Sequence, residues 1–195
     1  MKKLFIAALV LIMGCNLFAQ EGTPVKVEAM KVEKITELTP DGLDTREVAY
    51  KYYTGFGQAD KKAAAIDYAQ RDAINKISNV ISVAVKNAAA GKQLSVDGKV
   101  LDAIARSWSQ VSETLIQGME PVGEIEYVFN SQTGMYDVTA KMGMRGDRFL
   151  QQLGELKKQV LEAPLPAGLN ADERRNLIEA NQEISDAVDK WFGVQ

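Results

Sequence analysis

The sequence predicts an α+β fold: a short antiparallel sheet of about three strands packed by a long alanine-rich helix and a second helix, with a C-terminal helical hairpin or arm. Three changes of rhythm carry that prediction. Apolar and polar residues alternate over residues 46–54, recur every three or four positions after Gly55-Phe56-Gly57, and alternate again between Gly123 and Met142.

In the first stretch Val48, Tyr50 and Tyr52 fall on one side and Glu47, Ala49 and Lys51 on the other, which reads as a half-buried strand with Tyr50 and Tyr52 toward the core. Gly55 and Gly57 then mark a tight strand-to-helix turn. From residue 61 to 89 the residues Ile66, Ala69, Ala73, Ile77, Val80 or Ile81, Ala84 and Ala88 line one helix face. Small side chains let a helix axis lie close to its neighbour, so this helix is expected across the sheet.

The first nineteen residues stand apart from the fold. Lys2-Lys3 followed by an apolar run over residues 4–14 has the form of a secretory signal peptide, and the run is short for a membrane span. Two processing routes compete. Ile12-Met13-Gly14-Cys15 resembles a lipobox, which would acylate Cys15 and anchor the chain to a membrane leaflet. Leu17-Phe18-Ala19 offers an ordinary cleavage site before Gln20, which would leave the chain soluble outside the cytoplasm.

Either cut removes Lys2 and Lys3 and takes the formal charge from −3 to −5, which argues against nucleic-acid binding. The chain has no histidine and a single cysteine, Cys15. That composition excludes His-dependent triads, thiol nucleophiles in the mature body, His- or Cys-ligated zinc and haem, and disulfides. Stability must come from packing. About 175 residues suffice for a core without covalent staples.

Residues 20–45 read as a polar linker or an added edge strand, bounded by Pro24 and by Thr39-Pro40-Asp41-Gly42. After a loop from Gly91 to Gly98, a second helix carries Leu101, Ile104, Trp108, Val111 and Leu115, with Gly118 at its end. Trp108 reads as a core anchor. Ile125, Tyr127 and Phe129 share one face of a strand, and Tyr136, Val138, Ala140 and Met142 one face of the next. Asn130 to Gly134 turns between them as a hairpin.

Beyond Gly146, Phe149, Leu153, Leu156 and Val160 make a third helical stripe. A fourth helix opens with Asn170 and Glu173 in a capping-box arrangement. Its stripe of Leu177, Ile184, Val188 and Trp191 has two possible destinations: back onto the sheet, or against another chain, by self-association or on an envelope partner.

No catalytic, cofactor-binding or metal site emerges. A strand, Gly55-x-Gly57 and a helix invite a dinucleotide reading, but the third glycine of that fingerprint falls at Asp60, whose carboxylate would repel phosphate. Glu124 and Glu126 read as solvated surface, and Asp41-Gly42-Leu43-Asp44 is a turn rather than a calcium loop. Ser107, Ser109 and Ser112 have no histidine to activate them.

The succession of Gly55-Phe56-Gly57, Ala63-Ala64-Ala65-Ile66-Asp67-Tyr68-Ala69-Gln70-Arg71-Asp72-Ala73, Val111 to Gly118, Gly123-Glu124-Ile125-Glu126-Tyr127 and Gly134-Met135-Tyr136-Asp137-Val138 resembles the LPP-twenty type of envelope lipoproteins. That type is similar in arrangement to the N-terminal domain of flagellar assembly protein T. The resemblance covers residues 46–145. It implies a small exported protein in which helices pack on a short antiparallel sheet, associated with outer-membrane, surface or flagellar structures and not with catalysis. It carries no site residues and says nothing of residues 146–195.

Overall fold

The structure, a computed structural model, describes residues 27–39, 42–91 and 98–194. Residues 1–19, read above as a signal peptide, lie outside the described residues, Cys15 included. The elements run β1 (Lys31–Leu38), β2 (Thr45–Ala59), α1 (Lys62–Gly91), α2 (Gly98–Gln117), β3 (Glu120–Pro121), β4 (Glu126–Asn130), β5 (Met135–Arg145), α3 (Gly146–Leu161) and α4 (Ala171–Phe192).

The sheet is antiparallel, in the order β1-β2-β5-β3, with β4 also paired to β5. It has five strands where about three were expected. β1 is an edge strand inside the stretch read as polar linker or edge strand. Its alternating lysines and glutamates hide it in the sequence because an edge strand can keep such side chains in water. β3 and β4 lie end to end along one side of β5, opposite residues 142–143 and 135–139 respectively.

The glycines correct the expected strand-to-helix turn. β2 continues straight through Gly55 and Gly57 to Ala59, and they are where α1 rests on the strand. A Cβ at Gly55 would stand 2.0 Å from the Ala69 carbonyl oxygen and 2.4 Å from the Ala73 nitrogen; one at Gly57 would stand 2.1 Å from the Ala65 oxygen. Hydrogen in place of a side chain lets two backbones touch. Ala65, Ala69 and Ala73 face them, fully buried.

The register settles which face this is. Tyr53, Gly55 and Gly57 stand opposite Met142, Ala140 and Val138, and these residues face α1. Tyr50 and Tyr52 therefore lie on the other side of the sheet, buried as expected, but in a second, smaller core with Val48 and Val122 and not in the main one. Tyr53 takes that place, with its hydroxyl donating to the Glu28 carbonyl at 3.2 Å.

Farther along α1, Ile77, Val80, Ile81 and Ala84 enter one continuous core with Trp108 and Leu115 of α2, Phe149 and Leu153 of α3, and the inner face of α4. Trp108 is fully buried, and its indole N–H donates to Asn181 Oδ1 at 3.0 Å, so α2 and α4 are tied by a satisfied anchor. Phe149 and Phe192 meet edge to face at 5.4 Å. The Asn170–Glu173 capping box is formed in both directions, at 2.9 and 2.6 Å.

Candidate functional site: the open face of the sheet

The expected interaction stripe lies inside the molecule. Leu177, Ile184 and Val188 are buried in the common core, and Trp191 packs half-buried against it. Folding back wins because α4 finds acceptors and apolar cover in its own chain. Lys51, in β2, donates to the carbonyls of Phe192 at 2.7 Å and Gly193 at 2.9 Å, while the Met30 amide donates to Trp191 O at 3.1 Å. These bonds use the carbonyls that a helix end leaves unpaired. Burial pushes the Lys51 ammonium below its ordinary pKa, yet two carbonyl acceptors hold it in place. Sequence alternation put Lys51 on a strand face without saying that a helix end waits there.

With the described helices on one side, no described helix covers the other face of the sheet. Ile35, Val48, Tyr50, Tyr52 and Val122 form a small cluster on it. Charged side chains frame that cluster. The Lys141 ammonium lies 2.6 Å from Glu33, which raises its pKa, and the Tyr50 hydroxyl donates to Glu37 at 2.5 Å. The Glu37 bond, then burial, pushes Tyr50 up to about 12.

Toward the β4 side the face becomes more apolar at the surface. Phe56 is 64% exposed and Val128 67%. They flank a shallow groove of about 390 Å³ whose floor includes Gln58, Asp137 and Thr139. Gln58 donates to Asp137 at 2.7 Å, so the groove's carboxylate is already engaged. Phe56 gave no alternation signal because it sits between the two glycines. A period-two count carried on from Tyr50 and Tyr52 would have found its face.

The remaining sequence candidates stay apart. Glu124 and Glu126 are exposed, and Ser112 is buried against Ser78 at 3.1 Å. Ser109 donates to Glu113 at 3.4 Å along its own helix. Asp41 lies outside the described residues, and Asp44 closes a local turn with Thr39. Among the described residues no group of three or more Asp or Glu side chains is placed to hold a metal ion, and no helix is long and apolar enough to cross a membrane.

No protein-family model and no curated protein matches the chain. Among solved structures, the crystal structure of the secreted protein HP1454 from Helicobacter pylori matches at 15% identity and a TM-score of 0.30, over 71% of this chain. The match covers 52% of that chain, about half its length. Likeness at this level carries no argument about fold or function. The open face has to be read on its own chemistry, which is that of a flat, mixed aromatic and charged surface.

Proposed function

We propose that this chain is a non-enzymatic, exported cell-envelope protein that acts as a scaffold or assembly component at the outer membrane or cell surface. The single observation that carries the reading is the one-sided sheet: every described helix packs on one face or beyond it, and the other presents Phe56 and Val128 to solvent beside a frame of ion pairs. A flat surface with an exposed aromatic ring and a charged rim suits a protein partner better than a small substrate. The signal-like segment at residues 1–19 and the resemblance of residues 46–145 to the LPP-twenty type support the envelope setting. Cys15, if acylated, supplies the membrane anchor.

The test is a photo-crosslinking amino acid in place of Phe56, expressed in the native host. A discrete envelope protein crosslinked from position 56 and not from the exposed back of α4 at Glu179 is the expected result. Absence of any position-specific crosslink contradicts the reading. Intact mass of the same protein reports export: acylated Cys15 or a start at Gln20 agrees with it, and an unprocessed Met1 refutes it.

A second reading, a periplasmic module for a small ligand, is favoured by the groove beside Phe56. Native mass spectrometry showing a bound small molecule lost on Phe56→Ala is the result that would select it.

A further inference from the structure

We propose that β4 pairs with the β4 of a second copy of this chain, joining two sheets into one. The inference stands independently of the scaffold reading, because it rests on the edge of the sheet and not on its open face.

Free sheet edges invite pairing, and folded chains guard them. Three of the edges here are guarded. β1 presents lysines and glutamates, and Pro121 in β3 has no amide to donate. Past the end of β1, β2 is capped by α1: Asp72 accepts from the Phe56 amide at 3.0 Å and Lys76 donates to the Thr54 carbonyl at 2.7 Å. Among the described residues, β4 has no such device. It pairs with β5 on one side, and its three central residues are apolar and more than half exposed: Tyr127 at 51%, Val128 at 67% and Phe129 at 52%.

The five residues of β4 select their own partner. In an antiparallel pair centred on Val128, Tyr127 of one copy stands opposite Phe129 of the other, twice, and Val128 stands opposite Val128. Glu126 meets Asn130. Aromatic and β-branched cross-strand pairs are the favourable kinds, and no like charges oppose. A parallel pair would set Glu126 beside Glu126. The faces agree as well, because Tyr127 and Phe129 lie on the helix side, where Lys62 of α1 covers the Tyr127 ring at 3.3 Å and Phe129 packs on Tyr136 at 4.9 Å. Val128 lies on the open side, so the two exposed faces become one surface running from Phe56 across both Val128 residues to the second Phe56.

The experiment is light scattering on the full chain over a concentration series, repeated with Val128→Lys and followed by thiol crosslinking. Dimers are expected for the unaltered chain. Val128→Lys sets two ammonium groups opposite each other and should weaken the dimer about tenfold or more. Because position 128 is exposed, circular dichroism should be unchanged. In a Cys15→Ser background, Val128→Cys should form a disulfide-linked dimer on mild oxidation, since opposed residues in an antiparallel pair lie within disulfide reach. Glu126→Cys, displaced from its own copy in this register, should not. A monomer at every concentration, a dimer indifferent to Val128→Lys, or equal crosslinking from positions 126 and 128 overturns the proposal.

Discussion

Lys51, near the middle of β2, caps the last turn of α4 by donating to the Phe192 carbonyl at 2.7 Å. With Gly193 as a second acceptor, one side chain joins the N-terminal half of the chain to its C-terminal end. Lys51→Met keeps the aliphatic stem and leaves two carbonyls without their donor. Burying unsatisfied acceptors costs about 1–3 kcal/mol, so a thermal melt should show a clear fall in Tm. An unchanged Tm means the carbonyls find water instead and the cap is dispensable.

Two glycines, one at the contact between α1 and β2 and one outside it, predict opposite outcomes. Gly55→Ala forces a Cβ into the α1 backbone, 2.0 Å from Ala69 O, and neither backbone can move without disturbing the other. It should destabilise by about 1–3 kcal/mol or more, as should Ala73→Leu on the facing side. Gly154 lies inside α3 with nothing within 4 Å of a new Cβ. Gly154→Ala should stabilise by roughly 0.5–1 kcal/mol, the helix cost of glycine. Urea unfolding of the two variants in parallel checks both signs.

Tyr50 makes alkaline stability a readout of the open face. Its hydroxyl is pushed up to about 12 from an ordinary value of 10.0, chiefly by the bond to Glu37. A raised folded-state value means that its contribution is fully present below about pH 10 and is lost as pH rises toward about 12. Tyr53, raised by burial and by the charge of Glu28, acts in the same direction. Stability measured by denaturant from pH 9 to 12 should therefore decline, and Tyr50→Phe should lessen the slope. An equal slope in the variant removes Tyr50 from the account.

Periodicity made much of this fold legible. The alanine stripe of α1, the apolar stripe that carries Trp108, the β4–β5 hairpin and the Asn170–Glu173 cap are all marked by spacing within a few residues, where sequence rhythm is informative. What it missed depends on contacts made at long range. Gly55 and Gly57 read as a turn because a glycine looks the same whether it bends a strand or admits a helix. Lys51 read as a polar-face residue because the carbonyls of Phe192 and Gly193 come from the far end of the chain. The Leu177, Ile184, Val188 and Trp191 stripe was evident, but its destination is set by tertiary fit. The open face was legible in part, through the alternation that buries Tyr50 and Tyr52, although alternation does not say which face of the sheet the helices cover.

These placements share one claim: residues 146–194 complete the core, so that, among the described residues, the open face and the β4 edge remain available to other molecules. Six of their side chains, Phe149, Leu153, Leu177, Ile184, Val188 and Phe192, are almost wholly buried. At about 1.5–3 kcal/mol each, their removal rivals a whole domain's net stability of about 5–15 kcal/mol. The direct measurement is the thermal unfolding of a chain ending at Arg145 beside the full-length protein, followed by near-ultraviolet circular dichroism. The truncated chain should lose the cooperative transition and the tertiary signal of Trp108. A fragment that melts cooperatively at the full-length Tm would contradict the claim and make the C-terminal helices a separable arm.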